Sequence, residues 1–426
     1  MQESIIQETE MKASSKPLTI ALVLDSFGNR GNGTSNSALQ YAAELEKLGA
    51  RVRLVGIGAG TYAVPERHIP MISRIAAKQQ MHFAQVDERV LRACFAGVDV
   101  VHIYMPFTFG RAALRVARSM GIPVTAGFHI QPENILYSAG PLRYIPGAVS
   151  IIYRLFRHWL YDHVQHIHVP TTMGAKLLHA HGYRANIHVI SNGYEPVYTP
   201  KAESGTSENA ADAADVADVI DATDVTDVKQ FHIVASGRLT REKHHITLLR
   251  AVARCKHRNS IRVSIAGTGP LLRPLQLAAR VLLRAQHGYK RVRCDIGFHE
   301  HNTMPDFLRS ADLLVHPSLV DLESISVLEA TACGVVPVIA QSPLSAASQF
   351  ALTEHSLFPV RDVQALADAI DWWIEHPHER QIWSGVYAER AVEQYSLVSC
   401  AQQFMDMEQQ ALADAAIYHR DTLKRH

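Results

Sequence analysis

Residues 319–334 read Leu-Val-Asp-Leu-Glu-Ser-Ile-Ser-Val-Leu-Glu-Ala-Thr-Ala-Cys-Gly, and this stretch sets three acidic residues into an apolar run that predicts a helix. Asp321 precedes the run, and Glu329 lies eight positions later. A carboxylate near a helix N-terminus is favoured by the helix dipole and can accept two hydroxyl hydrogen bonds. The stretch therefore predicts a pocket that binds a sugar or ribose diol. On this segment alone, a helix cap followed by a solvated acid explains the pattern equally well.

The length and charge of the chain limit its class. Its 426 residues suit two domains of roughly 150 to 200 residues each. With 42 basic and 41 acidic residues, the chain has no charge excess that indicates a nucleic-acid partner. The five cysteines include no Cys-x-x-Cys pair. They indicate reduced thiols in a cytoplasmic protein and neither a disulfide framework nor a zinc site.

Two further absences in the sequence bear on location and metals. Residues 1–17 are polar and predict a flexible tail, and no run of about 18 apolar residues follows. We therefore expect neither a transmembrane helix nor a secretory signal, and a cytoplasmic protein. The histidines at 244–245 and 299–301 lack the i, i+4 pair and third ligand of a zinc site, so we expect no metal.

The first domain is predicted over residues 18–196 as an alternation of strands and helices. Short apolar runs at 18–24, 51–56, 98–104 and 123–128 alternate with helical patterns, which is typical of a doubly wound α/β fold. A glycine-rich loop containing Gly33 joins the first strand to a helix, an arrangement that can hold phosphate, although its spacing matches neither the dinucleotide nor the Walker motif. His129 follows the fourth strand. It is a site candidate, and a hydrogen-bonded loop histidine is an equally good interpretation.

The composition changes sharply over residues 197–230. Asp recurs every third residue from 212 to 227 among Ala, Thr and Val, which suits neither an amphipathic helix nor a strand. This segment predicts an acidic linker or insertion. Strands and helices resume over a second domain, residues 231–396, and we expect the helical stretch at about 397–426 to pack back on the first domain.

Glycines and cations follow the strands of the second domain. The strand at 231–236 ends in Gly237-Arg238, with Lys243 five residues later, and the strand at 261–266 ends in Gly267-Thr-Gly269. Two cations where a strand meets a helix would bind a diphosphate well. Two solvated surface cations would explain the pattern as well.

Residues 144–164 mix aromatic, aliphatic and basic side chains. Such a stretch can lie on an anionic membrane surface, and an ordinary core helix with solvated basic residues is the commoner outcome. The first interpretation predicts peripheral contact with the inner face of a membrane through residues 153–160.

Taken together, these motifs resemble a known family. Gly237-Arg238 with Lys243, then Gly267-Thr-Gly269-Pro, His316-Pro-Ser, the acid-x7-Glu pair ending at Glu329, and the Ala-Cys-Gly-Val-Val-Pro run at 332–337 occur in one order. This combination resembles the retaining glycosyltransferases of family 4. Within the family, the runs at 128–134 and 345–352 resemble a bacterial branch often linked with surface glycans or glycolipids. The resemblance covers about 19–412 without the acidic linker. It implies a GT-B fold, in which two Rossmann-like domains face a central cleft.

The resemblance also implies residue roles. Arg238 and Lys243 would hold the diphosphate of the donor, His129 would touch the transferred sugar, and Glu329 would bind the ribose hydroxyls. Asp321 takes the position that grips the sugar, where the family usually has Glu, so either the sugar sits closer or Glu323 contributes. The full implied donor-binding set is Gly33, Gly237, Arg238, Lys243, Gly267, Gly269, Phe298, Asp321, Glu323, Ser324, Ile325 and Glu329, and the catalytic set is His129, Arg238, Lys243, Asp321 and Glu329.

The implied reaction moves a hexose from a UDP- or GDP-linked sugar to a hydroxyl of a lipid, polyprenyl-linked or oligosaccharide acceptor, with no cofactor. Cations without a metal would stabilise the leaving diphosphate. Two alternatives stay open. A nicotinamide-dependent oxidoreductase would also need glycine loops and parallel strands, and a catalytically weak nucleotide-sugar-binding scaffold would explain the aspartate at 321.

Overall fold

The computed structural model describes residues 16–28, 33–70, 82–138, 144–201, 230–286 and 288–424. Its contacts divide the chain into two compact units. The first comprises Met1–Glu195, Asp321–Ile325 and Gln394–His426, and the second comprises Pro196–Val320 and Ser326–Glu393. Most of the predicted tail and of the acidic segment, residues 1–15 and 202–229, lies outside the described residues.

The first unit contains a seven-stranded sheet in which neighbouring strands all pair in parallel. Its strands are β1 (Thr19–Ser26), β2 (Arg51–Ile57), β3 (Tyr62–Ala63), β4 (Val100–Ile103), β5 (Val124–Gly127), β6 (His166–Val169) and β7 (Asn186–Val189). Their spatial order is β3-β2-β1-β4-β5-β6-β7. The order runs outward from β1 in both directions, so the chain reverses between β1 and β4, as in a doubly wound sheet.

The second unit contains a six-stranded parallel sheet. Its strands are β8 (Phe231–Ser236), β9 (Ile261–Ala266), β10 (Arg293–Gly297), β11 (Leu313–His316), β13 (Pro337–Gln341) and β15 (Leu357–Pro359); the short strands β12 (Val320–Asp321) and β14 (Leu344–Ser345) lie outside this sheet. The spatial order is β10-β9-β8-β11-β13-β15, and the reversal lies between β8 and β11. Two sheets of this kind confirm the predicted α/β class.

Helices flank both sheets. In chain order they are α1 (Gly33–Lys47), α2 (Glu88–Phe95), α3 (Thr108–Ser119), α4 (Pro132–Ser138), α5 (Ala148–Trp159), α6 (Thr172–Ala180), α7 (Ile246–Val252), α8 (Leu272–Leu282), α9 (Met304–Arg309), α10 (Ile325–Ala332), α11 (Val363–Glu375), α12 (Pro377–Tyr395) and α13 (Leu397–Lys424). None of the helices in the described part of the chain is long and apolar enough to cross a bilayer.

The apolar faces of these elements form the cores. In the first unit, α13 contributes Cys400 and Phe404 to a cluster with Leu22 of β1 and Tyr41 of α1. In the second unit, Trp373 is completely buried and donates its indole N–H to the carbonyl of His355 at 2.9 Å. A large buried ring with a satisfied polar atom is the arrangement that stabilises such a core best.

The two units differ from the predicted domains at residues 321–325, which the sequence analysis placed in the second domain. This segment belongs to the first unit because Thr171 donates to the carbonyl of Leu322 at 2.8 Å, and Ser191 and Asn192 bind Glu323. Residues 197–201, assigned to the linker from composition, lie in the second unit, where Arg309 donates to the carbonyls of Val197 and Thr199.

Candidate functional site

The carboxyl edge of the second sheet carries the predicted glycine motifs. Gly237 follows β8, and Gly267 follows the neighbouring strand β9, so the two turns lie side by side next to the point where the chain reverses. In open α/β sheets, ligands bind outside the carboxyl ends of the strands at this position.

Backbone packs directly on backbone at this edge. A Cβ built on Gly267 would lie 2.0 Å from the carbonyl oxygen of Gly237, and one built on Gly269 would lie 2.7 Å from that of Leu239. Leu239 donates its N–H to the carbonyl of Thr268 at 2.8 Å. Gly237 and Gly269 also have φ values of 135° and 151°, which side chains rarely permit. The glycine requirement therefore arises from the close approach of the two turns.

Arg238 and Lys243 flank the first turn. The guanidinium of Arg238 lies 3.4 Å from the buried carboxylate of Glu242, which also accepts a hydrogen bond from Thr240 at 2.5 Å. The Arg238 side chain keeps 40% of its surface exposed. Glu242 therefore orients this cation and leaves it accessible to solvent. The stem of Lys243 lies beside Gly237, with Cε 3.9 Å from a Cβ built there.

A buried histidine lies next to these cations. Burial, followed by the charge of Lys243 and the neighbouring His316, lowers the pKa of His245 to about 3. Neither ring nitrogen of His245 has a hydrogen-bond partner among the described residues. The histidine is therefore neutral, and the positive charge at this edge comes from Arg238 and Lys243.

The other predicted residues of the second unit differ in exposure. Glu329 is half-buried on α10, whose opposite surface packs into the core through Val327 and Leu328. Phe298 follows β10, two strands away from β8, and 71% of its surface is exposed.

Gly33 and Ile325 come together in the first unit. Gly33 begins α1 at the carboxyl edge of β1, and a Cβ built on it would lie 4.0 Å from Cδ1 of Ile325. Residues 292 positions apart in the sequence are thus neighbours, and both belong to the donor-binding set implied by the family resemblance.

Glu323 is buried and fully engaged. Its Oε1 accepts hydrogen bonds from the Ser191 hydroxyl at 2.5 Å and the Asn192 N–H at 2.9 Å, and its Oε2 accepts from the Asn192 side-chain amide. Burial raises the pKa of Glu323 to about 7 against the lowering effect of these hydrogen bonds. The next residue, Ser324, has φ of 77°, and Asp321 is half-buried. Of the two carboxylates considered for the sugar, Glu323 is therefore the one that anchors the segment.

His129 lies in a buried aromatic environment at the carboxyl end of β5. Its ring stacks on Tyr104 with centroids 5.0 Å apart and meets His168 edge-on at 4.9 Å. Burial, together with the neighbouring His168 and His102, holds the pKa of His129 well below its usual range. The imidazole is therefore neutral at physiological pH and can exchange a hydrogen bond with a hydroxyl without carrying charge.

Sequence reasoning missed several residues around these positions. Ser191 and Asn192, which bind Glu323, are not among the site residues predicted from the sequence, and neither is Glu242. The histidines at 102 and 168 lie on separate strands and share no local motif with His129. Strand-end position alone could have indicated them.

Within each unit, several of the residues predicted from the sequence lie close together. In the second unit, one sheet edge brings together Gly237, Arg238, Lys243, Gly267 and Gly269, as predicted. In the first unit, Gly33 lies near Ile325, and Asp321, Glu323 and Ser324 precede it on one segment. The roles of all these residues stay predictions.

Comparisons with known proteins agree with this geometry. Residues 218–386 match the model of the family "Glycosyl transferases group 1", and residues 31–197 match that of "Glycosyltransferase Family 4". A GDP-mannose-dependent alpha-mannosyltransferase of Mycobacterium tuberculosis is 25% identical over 154 residues. That match covers 33% of this chain and only 38% of the mannosyltransferase.

Solved structures share the fold over most of the chain. Sucrose-phosphate synthase from Thermosynechococcus elongatus matches with a TM-score of 0.70 at 15% identity, covering 93% of this chain and all of that one. The HepE protein of Anabaena in complex with UDP-glucose matches with a TM-score of 0.65 at 15% identity, covering 92% of this chain and 100% of that chain. At these identities the likeness concerns the fold.

Proposed function

The chain belongs to the group 1 and family 4 glycosyltransferases with the GT-B fold, and we propose that it transfers a hexose from a nucleotide-diphosphate sugar to an acceptor hydroxyl with retention of configuration. The observation that carries the proposal is the carboxyl edge of the second sheet, where two cations flank turns that contain no side chains at their closest approach. Bare backbone and fixed cations suit a diphosphate.

Arg238 and Lys243 would stabilise the negative charge that develops on the leaving diphosphate. Glu242 holds the Arg238 fork in place, so little reorganisation is needed at the moment of transfer. In front-face attack, the leaving phosphate oxygen accepts the proton of the acceptor hydroxyl, and no protein nucleophile is required. Glu329 would bind the ribose hydroxyls of the nucleotide.

We assign the sugar hydroxyls to Asp321 and His129. Both carboxylate oxygens of Glu323 accept hydrogen bonds from Ser191 and Asn192. Glu323 is therefore a positioning residue for the segment that carries Asp321. Asp321→Asn should therefore reduce transfer with little change in stability. Glu323→Gln should change stability and its pH dependence first.

Lys243→Gln tests the function most directly. We expect turnover of the donor to fall about 100- to 1000-fold, as on removal of one preorganised group that stabilises developing charge. Arg241→Gln is the matched control, because Arg241 is an exposed cation of the same loop. Nucleotide release and product formation would be measured for both variants, once thermal unfolding has shown that their unfolding temperatures are equal. Wild-type turnover in Lys243→Gln, or an equal loss in Arg241→Gln, would contradict the proposal.

The donor can be identified by thermal shift with UDP-, GDP- and ADP-linked sugars, because a ligand that binds only the folded state raises its unfolding temperature. We expect a shift with a UDP or GDP sugar. The family assignment does not favour the nicotinamide alternative, and a shift with NADH and no nucleotide sugar would revive it. Binding of a nucleotide sugar without nucleotide release in any acceptor extract would favour the scaffold alternative.

The acceptor is proposed to be a lipid, polyprenyl-linked or oligosaccharide hydroxyl, and α5 supports a membrane-bound acceptor. Ile151, Leu155 and Trp159 recur at helical spacing and expose 47%, 61% and 47% of their surfaces. Arg154 and His158 are exposed on the same helix. Such a surface binds anionic bilayers. The earlier assignment of the whole stretch 153–160 to the membrane needs correction, because Tyr153 and Leu160 are completely buried.

Leu155→Glu tests this contact. Sedimentation with vesicles of anionic phospholipid should recover the wild-type protein and lose the variant. Leu277→Glu is the control, since Leu277 is 63% exposed on α8 of the second unit. Equal recovery of wild type with and without vesicles would remove the membrane contact from the proposal and leave the transfer reaction untouched.

A further inference from the structure

Three histidines from neighbouring strands meet inside the first unit. His102 lies on β4, His129 follows β5, and His168 lies on β6, and one ring nitrogen of each lies within 4.8 Å of those of the other two. His102 and His168 are almost completely buried. The nitrogens His102 Nε2, His129 Nε2 and His168 Nδ1 all lack a hydrogen-bond partner among the described residues.

The strand register explains why the rings converge. His102 pairs with Thr125, and Gly127 pairs with His168, so these positions share one face of the sheet. Gly127 has no side chain, so the rings can approach its backbone. A Cβ built there would lie 2.3 Å from His129 Nε2 and 3.2 Å from His102 Nε2, so any larger residue would displace these rings.

The partners of the outer nitrogens fix which atoms carry lone pairs. His168 Nε2 lies 2.7 Å from the carbonyl oxygen of Ile190, which can only accept, so Nε2 donates and Nδ1 carries the lone pair. His102 Nδ1 lies 2.8 Å from Thr125 Oγ1 and 3.1 Å from Oε1 of the buried Glu408, so in the neutral ring Nδ1 donates and Nε2 carries the lone pair.

A carboxylate or carbonyl behind each histidine is the arrangement that orients metal-bound imidazoles and raises their basicity. Thr125 also donates to Glu408 at 2.8 Å, which holds that carboxylate in place. Unpartnered buried nitrogens are costly, and several in one place require an explanation. Three neutral imidazoles with no oxygen ligand suit zinc, cobalt or nickel better than magnesium or calcium.

We propose that His102, His129 and His168 bind one divalent transition-metal ion of the zinc type. A tetrahedral ion with bonds of about 2.0 Å needs ligand nitrogens roughly 3.4 Å apart, so the rings would close by about 1 Å on binding. The proposal does not depend on the transfer reaction. If His129 also contacts the donor sugar, as proposed above, a bound ion would occupy its nitrogen and slow transfer.

The first experiment uses the full-length wild-type protein, stripped with a chelator and titrated with cobalt(II). We expect one equivalent to produce the visible absorption of cobalt held by nitrogen ligands, and one equivalent of zinc to displace it. Elemental analysis of the zinc-loaded protein gives the stoichiometry. Absence of the absorption at equimolar cobalt would overturn the proposal, whatever the variants do, and would leave a buried water as the occupant of the space.

Variants then locate the ion. His168→Gln should weaken cobalt binding by about 100-fold, and Glu408→Gln, which keeps the shape behind His102, by about 10-fold. His245→Gln is the matched control, because His245 is equally buried and unpartnered but belongs to no such group. Circular dichroism checks that each variant folds. Unchanged binding in His168→Gln and Glu408→Gln would assign the ion to other histidines and contradict the proposal.

Discussion

The carboxyl edges of the two sheets differ in the residues that they carry and in how exposed these residues are. At the second edge, glycines 237, 267 and 269 let backbone approach backbone, and two cations stand beside them. At the first edge, the space left by Gly127 is filled by the rings of His102 and His129, and burial keeps His129 neutral. The second edge suits a charged group that stays in contact with water, and the first suits hydroxyls or a desolvated ligand.

The same contrast extends to buried acids. In the first unit, burial raises the pKa of Asp25 and of Glu323 to about 7. In the second unit, burial instead lowers the pKa of His245 to about 3. Glu323 and His245 should therefore respond in opposite directions to acid.

The largest effect is expected from Gly267→Ala. Its new Cβ would lie 2.0 Å from a backbone oxygen, which cannot move as a side chain can, so we expect a loss of about 3 kcal/mol in the free energy of unfolding, the upper range for overpacking. Gly297→Ala is the control, because Gly297 accepts the hydrogen bond from Gly267 but has nothing within 4 Å of its Cβ. Urea denaturation measures both.

Gly127→Ala sharpens this comparison at the first edge. Its Cβ meets the ring of His129 and not backbone, so the ring can shift, and the loss should be nearer about 1 kcal/mol. A loss equal to that of Gly267→Ala would mean that the rings at the first edge are as rigid as the backbone at the second.

Glu323→Gln tests the acid response of this buried carboxyl. The folded pKa of about 7 lies above the unfolded value of 4.5, so the charged form is disfavoured in the folded state. Its contribution is fully present below pH 4.5 and is lost as pH rises through 7, by about 3 kcal/mol at 1.36 kcal/mol per pKa unit. The difference in unfolding free energy between wild type and variant, measured from pH 4.5 to 7.5, should show this slope. A flat difference would contradict the buried assignment.

His245→Gln tests the opposite sign in the second unit. The folded pKa of about 3 lies below the unfolded value of 6.5, so the stabilisation is present above pH 6.5 and is lost as pH falls. Between pH 6.5 and 5 the wild type should lose about 2 kcal/mol relative to the variant. A flat difference between pH 5 and 6.5, or a wild type that gains stability relative to the variant as pH falls, would show that the neutral histidine was assigned wrongly.

The sequence was most informative where function lies in a contiguous motif. Gly237-Arg238 and Gly267-Thr-Gly269 are each contiguous in the sequence, so a local pattern is enough to find them. The alternation of strands and helices predicted both sheets. The grouping of His102, His129 and His168 depends on strand register between segments 27 to 39 positions apart. The engagement of Glu323 by Ser191 and Asn192 depends on a contact across more than 130 positions, which no local pattern encodes.

The smallest effect is expected at Ser324, where the first unit places a serine at positive φ while the second edge uses glycines. At φ of 77° a Cβ costs about 1 to 2 kcal/mol, a cost that glycine avoids. The greater freedom of glycine in the unfolded chain offsets part of this advantage. Ser324→Gly should therefore be more stable than Ser324→Ala by about 0.5 to 1 kcal/mol in urea denaturation. Comparing these two variants cancels the loss of the serine hydroxyl, which both share. If Ser324→Ala equals or exceeds Ser324→Gly, the backbone at this position carries no strain, and the serine stands there for its hydroxyl alone.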